Sequence, residues 1–309
     1  MKVLFQNRPK GSWIGWDMVQ LEKIMEAVKK LGVEVEFNDQ PVYSPALAYR
    51  HFDIVHVFNF SMDWTKYQIL TASIQNKPVV ASMIYHEAEE YVSYPEQQEL
   101  LNYVYPVFLS TTEIERVKRH LTFDNAKATV IPNGIDKFWF KKVSVNERPP
   151  FVLTVGRIEP SKGQFGAAEA CKKMDMSYVM IGERKDEAYA KACEAYGAIW
   201  LPPMKPDELI KQYAACSVFC LPSKAEIFPL TVMEAGAQGK PIVLTDNCEW
   251  KESGATLCKW HDSDSIEKAI RTALKSDGSE LKKKLKKMTW DDVGKQYLKL
   301  YEQILCDSR

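Results

Sequence analysis

Short apolar, β-branched runs alternate with stretches of helical periodicity along the whole chain, and this alternation limits the fold more than any other feature. The runs fall at residues 3–6, 33–37, 54–58, 78–84, 107–110 and 129–131, then at 151–155, 178–181, 198–200, 218–221 and 241–244. Helical spacing fills 16–31, 64–75 and 112–121, then 164–173, 185–196, 206–214 and 230–238. Strands buried on both faces read as continuous apolar runs, and helices between them act as crossovers, so the pattern predicts parallel sheets covered on both sides. A polar stretch at 141–150 closes on Arg148-Pro149-Pro150, and two prolines resist helix and sheet alike. It predicts a linker between two doubly wound α/β domains, 1–145 and 146–289, with a cleft at the carboxyl ends of their strands. A last amphipathic helix is expected at 291–305, where Val293, Tyr297, Leu298, Leu300, Tyr301 and Ile304 recur at helical spacing.

Composition excludes several classes of function. Lys+Arg and Asp+Glu are 41 each, so no overall field favours nucleic acid. No apolar run approaches the roughly 18 residues needed to cross a bilayer. The opening Met1–Gln6 is followed too soon by Arg8 and Lys10 for a leader peptide and reads as a first strand. The seven cysteines follow no zinc-site or disulfide spacing, so a reducing, cytoplasmic setting is expected.

Two segments carry candidate chemistry. In Glu226-Ile227-Phe228-Pro229-Leu230-Thr231-Val232-Met233-Glu234, two carboxylates flank an almost wholly apolar run. Pro229 suits the first turn of a helix, with Glu234 in its second turn. Eight residues at helical rise span roughly 12 Å and keep the pair on one face, a spacing that suits the two ends of one elongated polar ligand. The plain alternative is an amphipathic helix with two solvated acids. The second segment, Thr154–Gly163, follows the first strand of the second domain. Gly156 is read as allowing close backbone approach and unusual dihedrals at the strand tip. Arg157 and Lys162 project from the same loop, and together a guanidinium fork and an ammonium can stabilise a leaving diphosphate. The alternative is a surface loop with two solvated cations.

These segments, with the turn Pro132-Asn133-Gly134 after a strand, resemble the motifs of retaining glycosyltransferases with the GT-B fold, family 4. The resemblance implies two Rossmann-like domains, an N-terminal one for the acceptor and a C-terminal one for the donor, the first completed by a terminal helix over 290–309. It implies a hexosyltransferase moving sugar from a UDP- or GDP-sugar co-substrate to a hydroxyl on a glycan, lipid or protein, with retention and without metal or other cofactor. Glu226 then meets the donor sugar, Glu234 the ribose, and Arg157 and Lys162 the diphosphate. Gly156, Leu230, Thr231, Gly182 and Pro202 fall at donor-binding positions, and the backbone near Trp200–Pro202 at the base. Two departures stand out. Relatives usually carry Gly-x-Gly where this chain has Gly182-Glu183-Arg184, and Gly-Phe-Gly where it has Ile227-Phe228-Pro229. Pro229 offers no N–H. A non-catalytic nucleotide-sugar-binding subunit and a sugar-nucleotide epimerase are the rival readings.

In the first domain, the glycine turn running into Gly15, Trp16 and Asp17 feeds a helix N-terminus, a ready anion site where relatives bind donor phosphates; Trp16 alternatively helps form the acceptor pocket, and Asp17 alternatively just favours the helix start. His86 follows a strand and matches a cleft histidine near the donor sugar, with Tyr85 as the other candidate for that place. His56 lies inside a strand and reads as structural. His261-Asp262-Ser263-Asp264 resembles the metal motif of the other glycosyltransferase fold, but it precedes a helix, so Ser263 or Asp264 as an N-cap is the better reading. The lysines at 282–284 and 286–287 read as a solvated helix face, with peripheral membrane contact as the alternative.

Overall fold

The computed structural model describes residues 1–8, 16–38, 49–85, 93–248, 250 and 253–307, the Trp16 side chain excepted. The chain divides into two compact units, Met1–Gly134 with Trp290–Arg309, and Ile135–Thr289.

The first unit runs β1 (Lys2–Gln6), α1 (Trp16–Lys30), β2 (Glu34–Asn38), β3 (Ile54–Phe58), α2 (Asp63–Ile74), β4 (Val79–Ser82), α3 (Tyr94–Leu100), β5 (Val104–Phe108), α4 (Thr111–Val117) and β6 (Thr129–Val130). Its sheet is parallel, in the order β2-β1-β3-β4-β5-β6. β3 and β4 are buried at every position, as continuous apolar runs require.

The second unit contains β7 (Phe151–Val155), α5 (Gln164–Lys173), β8 (Ser177–Ile181), α6 (Glu187–Ala195), β9 (Ala198–Leu201), α7 (Pro206–Ala215), β10 (Val218–Leu221), α8 (Leu230–Ala237), β11 (Ile242–Thr245), β12 (Thr256–Cys258), α9 (Ser263–Ala273) and α10 (Ser279–Leu285). Its parallel sheet is ordered β12-β11-β10-β7-β8-β9, the doubly wound dinucleotide-fold order.

The last helix, α11 (Trp290–Asp307), belongs to the first unit, as expected. Gly294 lets it lie close on α1, since a Cβ there would stand 2.7 Å from the Ala27 Cβ. A buried relay then fixes it to the sheet. His56 Nδ1 lies 2.7 Å from the Tyr301 hydroxyl, His56 Nε2 2.9 Å from Ser82 Oγ, and Ser82 Oγ 3.2 Å from the Tyr297 hydroxyl. Burial holds the His56 imidazole neutral, with its pKa lowered to about 3. His56 is therefore structural.

The division falls at Gly134, not in the proline-ended stretch. Ile135 bridges Thr289, and its N–H donates to the Met288 carbonyl at 2.8 Å. A single helical turn at Lys137–Phe140 then sets Trp139 edge-on to Tyr213, ring centres 5.8 Å apart. Gln238 donates to the carbonyls of Trp139 and Lys141, the latter at 3.2 Å. Residues 135–141 are thus already part of the second unit, and the exposed polar stretch after them is its surface.

Candidate active site

Strand order decides where the second unit can bind. The chain builds β7, β8 and β9 in one direction, then returns to lay β10, β11 and β12 on the other side of β7. Adjacent strands β7 and β10 therefore mark the reversal of strand order, and in open α/β sheets ligands bind beyond the carboxyl ends of the strands at such a point. The loops carrying Arg157 and Lys162, and Glu226, are the two that leave this switch point.

They are stitched together. The Lys224 N–H donates to the Ser161 carbonyl at 2.7 Å. Gly163 has φ +69°, and a Cβ on it would stand 2.0 Å from the Pro222 carbonyl oxygen, so only glycine lets the loops touch here. Lys162 Nζ consequently sits 2.7 Å from Glu226 Oε1, with both side chains less than a fifth exposed. Arg157 Nη2 lies 3.1 Å from Glu159 Oε1, and Gln164 Nε2 holds the Arg157 carbonyl at 2.6 Å.

Glu226 precedes the helix instead of lying on it. It bridges Cys248, while Asn247 Nδ2 donates to the Lys224 carbonyl at 2.9 Å and Thr245 to that of Ser223 at 2.7 Å. Ile227 and Phe228 turn into the core, and Phe228 stacks on Trp250 with ring centres 4.5 Å apart. Pro229 is the N-cap of α8, so Leu230 and Thr231 form its first turn, where backbone N–H groups have no intrahelical acceptor. The expectation that both acids share one helical face is thus corrected: the buried Ile227-Phe228 pair forces a break between them.

Glu234 does stand in the second turn of α8, but it is buried rather than solvated. The Tyr213 hydroxyl on α7 donates to its Oε2 at 2.7 Å. Burial pushes the carboxyl up to about 8; the Tyr213 hydrogen bond works against this, and the nearby Asp136 adds to it.

The glycine reading also shifts. Gly156 does not have positive φ, and a Cβ on it would meet open space. The steric need lies at Gly182, with φ +154°, where a Cβ would stand 1.9 Å from the Gly156 carbonyl oxygen. Arg184 turns aside, contacting Glu187 at 2.9 Å and Glu194 at 2.6 Å and lying 4.0 Å over the Trp200 ring. Trp200 Nε1 donates to the Gly182 carbonyl at 2.9 Å, and Pro202 is exposed just beyond β9.

In the first unit, His86 and Gly15 lie outside the described residues; Trp16 opens α1. Asp17 does more than favour the helix start. It accepts from Arg8 at 2.5 Å, Asn7 at 2.7 Å and Asn59 at 2.9 Å, at the carboxyl ends of β1 and β3. Sequence reading missed Asn7, Arg8 and Asn59 because strand pairing, invisible in local spacing, brings them together. Near α9 the cap is Asp262, whose carboxylate accepts from the Ser265 N–H at 2.9 Å, not Ser263 or Asp264. Among the described residues no group of three or more His, Cys, Asp or Glu could hold a metal ion, and no helix is long and apolar enough to cross a membrane.

The family model described as glycosyl transferases group 1 matches residues 135–289, half of the chain and the whole second unit. The chain belongs to this family. Among curated relatives, the N,N'-diacetylbacillosaminyl-diphospho-undecaprenol alpha-1,3-N-acetylgalactosaminyltransferase of Campylobacter jejuni is 27% identical over 54% of this chain and 48% of its own length. The D-inositol 3-phosphate glycosyltransferase of Rhodococcus jostii is 26% identical over 44% of this chain and 36% of its own. The match thus spans half or less of these relatives. Among solved structures, HepE of Anabaena in complex with UDP superposes with a TM-score of 0.79 at 16% identity, covering 98% of this chain and all of that one. Sucrose-phosphate synthase of Thermosynechococcus elongatus gives 0.78 at 15%, covering 99% and 100%. At such identities the likeness shows the fold alone, and that fold is GT-B.

Proposed function

We propose that this chain is a glycosyltransferase that moves a sugar from a nucleoside-diphosphate sugar to a hydroxyl acceptor. One observation carries the reading: a cation and an acid from the two loops that flank the second unit's switch point meet at 2.7 Å, as Lys162 and Glu226. In this reading Arg157 and Lys162 neutralise the departing diphosphate, which is where negative charge grows in the transition state. Glu226 holds the sugar and Glu234 the ribose. The first amides of α8, at Leu230 and Thr231, face developing negative charge. The open space beside Gly156 leaves room for the nucleotide, Gly182 seats the end of β8 against the Gly156 carbonyl, and the chain at Pro202 borders the base. His86, Gly15 and Trp16 keep their proposed roles toward the sugar, phosphate and acceptor. UDP and GDP are the donor carriers to test first; one structural neighbour of this chain was solved with UDP-glucose. Retention and independence of metal are part of the proposal, the two cations supplying the charge.

The departure at Ile227-Phe228-Pro229 gives little support to a non-catalytic subunit, because Ile227 and Phe228 pack in the core. An epimerase would turn over donor with no acceptor present, which an acceptor-free assay reveals. The direct test pairs a thermal-shift screen of UDP, GDP and their sugars with an Arg157→Ala variant. A ligand that binds only the native state raises its melting temperature by mass action. Arg157→Ala is expected to lower kcat by about 10²-fold or more while the protein stays folded. Unchanged turnover would remove Arg157 from the mechanism.

A further inference from the structure

Glu234 is 8% exposed as a residue, and its Oε2 accepts the Tyr213 hydroxyl. No other described residue donates to it, and Oε1 receives nothing. Oε1 is not among the enclosed side-chain oxygens that lack a partner, so it is open to an incoming molecule, and a carboxylate with about four lone-pair sites and one protein donor has acceptor capacity to spare. Such a group is built to receive further donors, and it sits in the helix that follows the switch-point loop. Tyr213, in contrast, is rigid. It is fully buried, held between Trp139 at 5.8 Å and Phe219 at 5.7 Å, and its hydroxyl has one acceptor.

We infer that Tyr213 is a positioning residue for nucleotide binding: it fixes Glu234 through Oε2 so that Oε1 is presented to the hydroxyls of the donor's ribose. This rests on the donor-site reading above. Sugar hydroxyls are donors that a carboxylate accepts and a neutral carboxylic acid accepts less well. Affinity for a ribose-bearing nucleotide should therefore rise as pH climbs through the Glu234 pKa of about 8. The charged or titratable groups acting on Glu234 are Tyr213 from α7, which favours the carboxylate, and Asp136 from the turn before Lys137, which opposes it. α10 presents apolar Leu281 and Leu285 to α8 at Gly236. Removing the Tyr213 hydroxyl should raise the Glu234 pKa and move the affinity midpoint to higher pH.

The test is calorimetric titration of the full chain with UDP and GDP and with their 2′,3′-dideoxyribose analogues, from pH 6.5 to 9. Wild type is expected to prefer the ribose form by about tenfold or more, as a hydrogen bond to a charged group implies. In Tyr213→Phe that preference should shrink about five- to tenfold, with the pH midpoint raised and affinity for the dideoxy form within twofold of wild type. An unchanged ribose preference and pH midpoint would overturn the inference, since a merely structural role weakens both nucleotides alike. Should Tyr213→Phe not fold, Glu234→Gln, which keeps an acceptor for Tyr213, gives a second reading: it must abolish both the ribose preference and its pH dependence, and retention of either overturns the inference. A wild type that binds neither UDP nor GDP overturns the donor-site reading itself, and this one with it.

Discussion

At the scale of single residues, the site depends on two glycines whose importance comes from what lies against them. Gly163 lets the β7 loop rest on the Pro222 carbonyl, and Gly182 lets β8 end beneath the Gly156 carbonyl. In each case an added Cβ would lie 2.0 Å or less from a backbone oxygen, at a positive φ. Backbone atoms cannot swing away as a side chain can, so the strand tips themselves would have to move. Gly182→Ala is expected to cost about 3 kcal/mol or more of stability, while Gly156→Ala, facing open space, should cost about 1 kcal/mol or less. Urea unfolding of the two variants checks this, and equal losses would show that the contact at Gly182 relaxes freely. The motif around Gly156 draws attention to the glycine beside the cations, yet the constraint falls on its neighbour across the sheet. That Arg157 and Lys162 lie on the loop after β7, and Glu226 on the loop after β10, was legible because strand ends are easy to find in continuous apolar runs. Their pairing partners were not. Tyr213 is 21 positions from Glu234, and Asn59 is 42 from Asp17.

At the scale of elements, most strands and helices were legible because burial on both faces writes itself as unbroken apolar sequence; β3, β7, β10 and α5 fall on the predicted residues. The edge strand β12 was missed, since it is half exposed with Leu257 outward and has no such run. α3 was missed although Ser93 and Glu96 form a capping box, with the Ser93 hydroxyl donating to Glu96 at 2.9 Å. The element least readable from local sequence is the seat of α11, because His56 and Tyr301 are 245 positions apart. That seat has a pH signature. A neutral imidazole satisfies the whole relay in either tautomer, one ring nitrogen donating to its hydroxyl partner and the other accepting from its own. What opposes protonation is burial, since an imidazolium here would be a charge withdrawn from water with no acid beside it among the hydroxyl partners. The His56 pKa falls from the ordinary 6.5 to about 3 in the fold. Between these values the unfolded chain binds the extra proton, so this group's contribution is complete above pH 6.5 and is lost as pH falls toward 3. Relative to His56→Asn, wild type should lose roughly 2 kcal/mol of its advantage between pH 7.5 and pH 5. Urea unfolding of both proteins at the two pH values measures it, and a constant difference would mean that His56 is protonated in the folded protein.

At the scale of the whole molecule, the chain closes its first unit with its last residues: Met1–Gly134 is joined by Trp290–Arg309 only after the second unit has been threaded. The second unit is continuous, 135–289, and carries the family match and the whole Lys162–Glu226 arrangement. The two units should therefore respond differently to loss of the C-terminus. α11 buries Trp290, Val293, Tyr297, Leu300, Tyr301 and Ile304. At about 1.5–3 kcal/mol for each large apolar side chain, their removal costs on the order of 10 kcal/mol, comparable to the entire net stability of a domain. It also leaves His56 and Ser82 buried without their tyrosine partners. The core of the second unit, around Val152, Met180, Cys220 and Ile270, includes no residue of that helix. Deleting residues 290–309 is expected to abolish the cooperative melting of the first unit and to leave that of the second. UDP or GDP at 100 times its Kd should still stabilise the remaining transition by about 2.7 kcal/mol. Calorimetry of the truncated chain, with and without nucleotide, and limited proteolysis that leaves a fragment close to 135–289 would read this out. If the truncated chain melts at the full-length temperature, the relay and the apolar face of α11 contribute far less than their burial implies. If nucleotide no longer stabilises what remains, the binding determinants are not confined to the second unit.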